Sequence, residues 1–145
     1  RLSLNDLLQQ ADIVTLHVPL TDETQGMIGR EALARMKPTA VLVNTSRGPV
    51  VDEAALAEAL RAGEIAAAAL DVYENEPKVH TGLLGLDNVV LCPHIGSATV
   101  ETRTRMAVMA ARNLLAIVKG ERAPNCVNPE LYGPKENEGE RARQD

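Results

Sequence analysis

Aromatic side chains are almost missing from this chain, which has two Tyr and no Phe or Trp among 145 residues. Without them, single-stranded nucleic acid finds no stacking platform. Positive charge is not concentrated either. Fifteen Lys and Arg are scattered against 20 Asp and Glu, for a formal net charge of −5. No basic footprint for DNA or RNA results, and nucleic acid is not an expected partner. Cysteine is scarce: Cys92 and Cys126 lie far apart and outside any CxxC spacing, and the three His are isolated from one another. A structural zinc site therefore has no ligand set, and no metal is expected. Free thiols fit a reducing compartment, so a cytoplasmic location is expected, with Cys92 read as a small core residue. No apolar run approaches the roughly eighteen residues that a membrane span needs. The first residue is Arg1 rather than Met, so an upstream segment is expected, and no stretch of the sequence reads as a targeting peptide.

What the chain has instead is aliphatic bulk. The apolar fraction is 45%, ample for a core, and the length suits one compact domain. Two periodicities alternate. Continuous apolar runs at Ile13 to Val18, Ala40 to Val43, Ala66 to Val72 and Val89 to Cys92 predict strands covered on both faces, as in a parallel sheet. Between them lie segments with helical spacing. Ser3 caps a helix over Leu4 to Gln10, with Asp6 near the first-turn amides. Glu31 to Met36 predicts a short helix that Pro38 terminates. Asp52 caps Glu53 to Ala62, Val51 and Leu56 can form a hydrophobic staple, and Gly63 is the stop. A longer helix is predicted over about Thr99 to Lys119. One broad face, with Met106, Met109, Leu114 and Ile117, reads as core. Strands and helices alternating through short connections predict an α/β fold, a parallel doubly wound sheet of the Rossmann kind.

Polar residues gather where the strands are expected to end. The first strand exits through His17-Val18-Pro19 and the second through Asn44-Thr45-Ser46-Arg47-Gly48. The third exits through Asp71 toward Glu74 and Glu76, and the fourth through Pro93-His94-Ile95-Gly96. In an open parallel sheet these exits share one edge, where ligands bind. An arginine offers paired donors matched to a carboxylate. A histidine can give or take a proton near neutrality, and a carboxylate beside an imidazole orients it and favours the protonated ring. Such a set suits reversible reduction of a 2-oxo acid to a 2-hydroxy acid without a metal. The bland readings are a loop arginine in a surface ion pair, a solvated histidine and a capping carboxylate. His17 and His80 are assigned no chemistry, and Asp52 and Glu53 are read as helix capping.

The blocks His17-Val18-Pro19-Leu20-Thr21, Val43 through Glu53, Ala69 through Pro77 and Pro93 through Thr99 occur in that order. Together they resemble the signature blocks of the D-isomer-specific 2-hydroxyacid dehydrogenases, over residues 3 to 132. Within that family the first and last blocks, with Val127-Asn128-Pro129-Glu130, are most similar to glyoxylate/hydroxypyruvate reductases. The resemblance implies that Arg47 holds the substrate carboxylate, that His94 is the general acid or base, and that Glu76 supports His94. It implies NAD or NADP as cofactor, with Asp71 at the nicotinamide and Val18, Thr24, Thr45, Ser46 and Gly96 along the cofactor path beside Arg47 and His94. It also implies the second half of a dinucleotide-binding domain over residues 1–120, a return segment of the substrate domain over 121–132 and a disordered charged tail over 133–145. The partner would be a small 2-oxo or 2-hydroxy acid, and the complete protein a homodimer. The glycine-rich GxGxxG turn is absent from the sequence and is expected upstream. Other readings of the same residues are a phosphoglycerate dehydrogenase-like enzyme, a dinucleotide-sensing binding protein and an inactive truncated product.

Overall fold

The computed structural model describes residues 1–133; of the expected charged tail, only Gly133 lies within them. The described chain falls into two compact units, Arg1–Gly96 and a second beginning at Ser97. That division of contacts falls before the long helix.

In the first unit four strands form one sheet in the order of the chain. They are β1 (Ile13–Leu16), β2 (Val41–Asn44), β3 (Ala67–Leu70) and β4 (Val89–Leu91). Every pairing is parallel, and the register sets Leu16 beside Asn44, Asn44 beside Leu70, and Leu70 beside Leu91. Four consecutive strands thus end in line, so the segments after them emerge from one edge. β1, β3 and β4 are shorter than their apolar runs, and β2 is shifted by one residue. β1 stops at Leu16, and Pro19 beyond it has no N–H to donate to a ladder. β3 stops at Leu70 because Asp71 turns toward the exit of β4.

One face of the sheet is closed. Val14, Leu16, Leu42, Ala68 and Leu70 are each no more than 5% exposed and belong to one core cluster. Coverage of the other face, expected from the uninterrupted apolar runs, is partial. Ile13 and Val90 are 67% and 61% exposed, and Val41, Val43, Ala67 and Ala69 are half-buried. Alternation along a pleated strand is what separates these two sets.

The helices follow their caps. In α1 (Leu4–Gln10) the Asp6 N–H donates to Ser3 Oγ at 3.2 Å. In α3 (Glu53–Ala62) the Ala55 N–H donates to Asp52 Oδ1 at 2.8 Å, and Gly63 closes the helix at φ 71°. Leu56 and Leu60 bury its inner face. The helix expected over Glu31 to Met36 starts and ends earlier, as α2 (Arg30–Leu33). Beyond it the Arg35 and Met36 N–H groups bond three residues back, to Ala32 and Leu33. The chain tightens because Lys37, preceding Pro38, is disfavoured in the helical region.

The second unit contains α4 (Val100–Val118), capped where the Thr102 N–H donates to Thr99 Oγ1 at 3.1 Å. After Gly120 the chain turns back, and the Asn125 N–H donates to Asn113 Oδ1 at 3.0 Å. A short 3-10 turn, Pro129–Tyr132, follows, and its Tyr132 hydroxyl accepts from the Ala123 N–H. The face of α4 expected to be core is not. Met106, Met109, Leu114 and Ile117 are 50–63% exposed, and Ala116 is its one buried residue. The described part of this unit offers only the short returning segment to pack against. Among the described residues no helix is long and apolar enough to cross a membrane.

Candidate functional site

The turn after β2 is built on Asn44, which is 1% exposed. Its Oδ1 accepts the Ser46 N–H at 3.0 Å and the Ser46 hydroxyl at 2.8 Å, while its Nδ2 donates to the Arg47 carbonyl at 3.0 Å. A buried side-chain amide whose groups are all paired fixes a loop in one shape. Arg47 leaves this turn exposed, with Nη1 donating to the Ser46 carbonyl at 2.7 Å and its remaining donors available. Gly48 then packs flat against the next loop, because a Cβ there would collide with the main chain of Tyr73 and Glu74. The loops carrying Arg47 and Glu76 therefore touch backbone to backbone.

The turn after β3 begins with Asp71, 8% exposed. Its carboxylate accepts the Ile95 N–H at 2.8 Å and the Gly96 N–H at 2.7 Å. That grip spans the sheet edge from β3 to the exit of β4 and fixes the turn behind His94, which adopts φ 54°. A non-glycine residue in this left-handed region is strained and persists where its surroundings hold it. The hydroxyl of Tyr73, 6% exposed, makes a second tie between the same exits by donating to the Cys92 carbonyl at 2.7 Å. Burial is the main reason its phenol titrates above the usual range, with Cys92 and Asp71 adding to it.

Between these ties lies the dyad. His94 Nδ1 is 2.9 Å from Glu76 Oε2, and Glu76 Oε1 accepts the Tyr73 N–H at 3.1 Å. The His94 hydrogen bond, followed by that of Tyr73, holds the Glu76 carboxyl below its ordinary value. Glu76 is thus the ionised acceptor, and Nδ1 the donor. Glu74, two residues earlier, shifts oppositely: burial and the neighbouring Glu53 push its carboxyl up.

Two clefts lie at the strand exits, and His94 lines the first of them. One of about 330 Å3 is lined by Glu76, His94, Val79, Leu84, Leu91 and Pro93. The other, about 220 Å3, opens between the ends of β2, β3 and β4, where Thr45, Asp71 and Gly96 meet Val43 and Ile95. Cys92 borders both.

Of the residues picked out by sequence, Glu76 and His94 are in contact, and Thr45, Asp71 and Gly96 share a cleft. Arg47 lines neither of these clefts, and its guanidinium rests on its own turn. Val18 is half-buried against the core. Thr24 closes a local turn, donating to the Pro19 carbonyl at 2.7 Å and accepting the Thr21 N–H at 2.8 Å. The Ser46 hydroxyl is held by Asn44. Sequence reasoning missed Asn44, Tyr73 and Glu53. An asparagine ending an apolar strand was the available signal for the first. Glu53, read as a cap, is not one: Asp52 caps α3, while Glu53 accepts the Glu74 N–H at 2.6 Å and the His80 N–H at 2.9 Å. Among the described residues no group of His, Cys, Asp and Glu is placed to hold a metal.

An imidazole with one nitrogen anchored to a carboxylate and the other free, at the carboxyl edge of a parallel sheet, can exchange a proton with a ligand there. Comparison with known proteins agrees with the architecture. Residues 1–96 match the model of the D-isomer specific 2-hydroxyacid dehydrogenase, NAD binding domain. A glyoxylate reductase of Thermofilum pendens is 57% identical over 129 residues, 88% of this chain and 38% of that protein. Glyoxylate/hydroxypyruvate reductase B of Serratia proteamaculans is 55% identical over 132 residues, 90% of this chain and 41% of its own length. The crystal structure of an NADPH-dependent glyoxylate/hydroxypyruvate reductase from Sinorhizobium meliloti, in complex with NADP and malonate, superposes with a TM-score of 0.82. It is 38% identical and covers 93% of this chain and 42% of that one. The chain thus spans about two-fifths of the length of these relatives.

Proposed function

Since the chain belongs to the D-isomer specific 2-hydroxyacid dehydrogenase family, we propose that within the whole protein it serves NAD- or NADP-dependent reduction of a small 2-oxo acid. Glyoxylate and hydroxypyruvate are the favoured substrates; the first gives the achiral 2-hydroxy acid glycolate, the second a D-2-hydroxy acid. The names of the similar reductases support this substrate class. The observation that carries the reading is the 2.9 Å contact of His94 with Glu76 at the strand exits.

Glu76, ionised, accepts a hydrogen bond from the Nδ1–H and leaves Nε2 to face the substrate. His94 gives its Nε2 proton to the carbonyl oxygen as that becomes a hydroxyl, and takes it back in the oxidation direction. Arg47 supplies the planar pair of donors for the substrate carboxylate. A bound nicotinamide supplies or accepts the hydride.

The residues present fit that end of the cofactor. The cleft between β2, β3 and β4 offers the Thr45 hydroxyl and the Asp71 carboxylate beside apolar Val43 and Ile95. Asp71 already receives two N–H groups, and a carboxylate has acceptor capacity beyond two. Gly96 lines the same cleft, and Val18, Thr24 and Ser46 are assigned to the wall of the path leading from it.

The test is a steady-state assay of the full-length protein with NADH and with NADPH on a panel of 2-oxo acids. Oxidation of either cofactor with glyoxylate or hydroxypyruvate is expected. Turnover of none of the panel would overturn the reading.

A further inference from the structure

Glu53 is a buried carboxylate that the chemistry above leaves unused. It opens α3, where a first-turn glutamate usually faces water and complements the helix dipole, yet it is 3% exposed. Oε1 accepts the Glu74 N–H at 2.6 Å and Oε2 accepts the His80 N–H at 2.9 Å. Those two residues bracket Glu76 along the chain. A carboxylate is worth burying only where hydrogen bonds replace its water, and here both oxygens bond to the main chain of one loop.

We infer that Glu53 is a positioning residue: it pins both ends of the 74–80 loop to α3 and thereby holds Glu76 within hydrogen-bond distance of His94. Each end of the path is rigid. α3 is set in the core by Leu56 and Leu60, and His94 stands on the turn gripped by Asp71. The loop between them has somewhere to go. A cavity of about 330 Å3, lined by Glu53, Glu74, Asn75, Lys78 and His80, lies beside it. Without the two Glu53 bonds the loop can relax into that space and carry Glu76 away from the imidazole.

The inference rests on the His94–Glu76 contact and not on the identity of the reaction, so the test reads that contact. Carbon-13 NMR titration follows the Glu76 side-chain carboxyl in the chain itself. The other charged groups acting on Glu76 and on the loop are Asp71, Asp52, Glu74 and His80; none is replaced in the Glu53 variants. Glu53→Ala is expected to move the Glu76 midpoint upward, toward its position in His94→Ala. The double variant is expected to move it no further than His94→Ala alone. Glu53→Gln keeps the volume and one acceptor, and is expected to give a smaller upward movement. Should Glu53→Ala fail to fold, Glu53→Gln decides. Asp52→Ala removes the N-cap of the same helix but keeps both Glu53 bonds to the loop; Asp52 acts on Glu74 and not on Glu76, so the Glu76 midpoint is expected to stay in place. An unchanged midpoint in the folded Glu53 variants, or an equal movement in Asp52→Ala, would overturn the inference.

Discussion

Replacing Gly48 by Ala adds one methyl group at the point where the Arg47 and Glu76 loops meet. The new Cβ would overlap the Tyr73 carbonyl carbon and oxygen and the Glu74 nitrogen, all main-chain atoms. No side chain can rotate aside. The peptide it strikes is also held on both sides, by the Tyr73 hydroxyl on the Cys92 carbonyl and by the Glu74 N–H on Glu53. Overpacking that side chains can absorb costs about 1–3 kcal/mol, so a backbone collision belongs at or above the upper end, roughly 3 kcal/mol. That is a large part of a typical net stability of about 5–15 kcal/mol. Urea unfolding followed by circular dichroism measures it; with a slope of about 2 kcal/mol per molar, the midpoint falls by roughly 1.5 M at unchanged slope. Gly63→Ala is the control. Gly63 sits at φ 71° with nothing within 4 Å of a built Cβ, so it suffers only the left-handed backbone penalty, about 1–2 kcal/mol. If Gly48→Ala costs no more than Gly63→Ala, the two loops do not touch as described.

Asp52→Ala removes the α3 cap and is expected to cost about 1 kcal/mol in the same unfolding experiment; no loss would mean that the Ala55 N–H finds another acceptor. His94→Ala removes the largest influence holding the Glu76 carboxyl down, so its NMR midpoint rises toward the ordinary value; a fixed midpoint would deny the contact. The sign for stability follows from the same lowering. The pair's contribution is present above the unfolded carboxyl range and is lost as pH falls through the lowered Glu76 value. Because the pair is 54% and 38% exposed, that contribution is only about 0.2–1 kcal/mol, read as the difference between wild type and His94→Ala across acid pH. In the full-length protein, His94→Ala is expected to lower kcat by about 10²–10⁴-fold. Arg47→Ala is expected to raise KM for the 2-oxo acid by roughly 10–100-fold, the loss of a charged hydrogen bond. Unchanged kcat/KM in either variant would remove that residue from its role.

Local chemistry was legible in the order of residues. Caps, breakers and apolar runs are read within a few positions of one another, and so α1, α3, the four strands and their parallel direction could be anticipated. Short-range signals also placed Arg47, Asp71, Glu76 and His94 at strand exits. Register is another matter, since a line-up of Leu16, Asn44, Leu70 and Leu91 depends on pairing across the sheet. Burial of one apolar face but not its opposite was not legible either. An aliphatic run looks alike whether or not something covers it, and this is why Met106 and Met109 read as core.

The sequence by itself determined which groups could do chemistry and that strand ends would carry them, because propensity and residue type act locally. Only the tertiary structure decided how the acids divide their work. Asp71 grips the turn of His94, Glu76 meets the imidazole, and Glu53 reaches away from its own helix to the loop between them. Four acidic residues, Glu53, Asp71, Glu74 and Glu76, carry like carboxyls on the line of sequence. Long-range packing alone assigns Glu53 and Asp71 the N–H groups they receive and Glu76 its imidazole, and with them their roles.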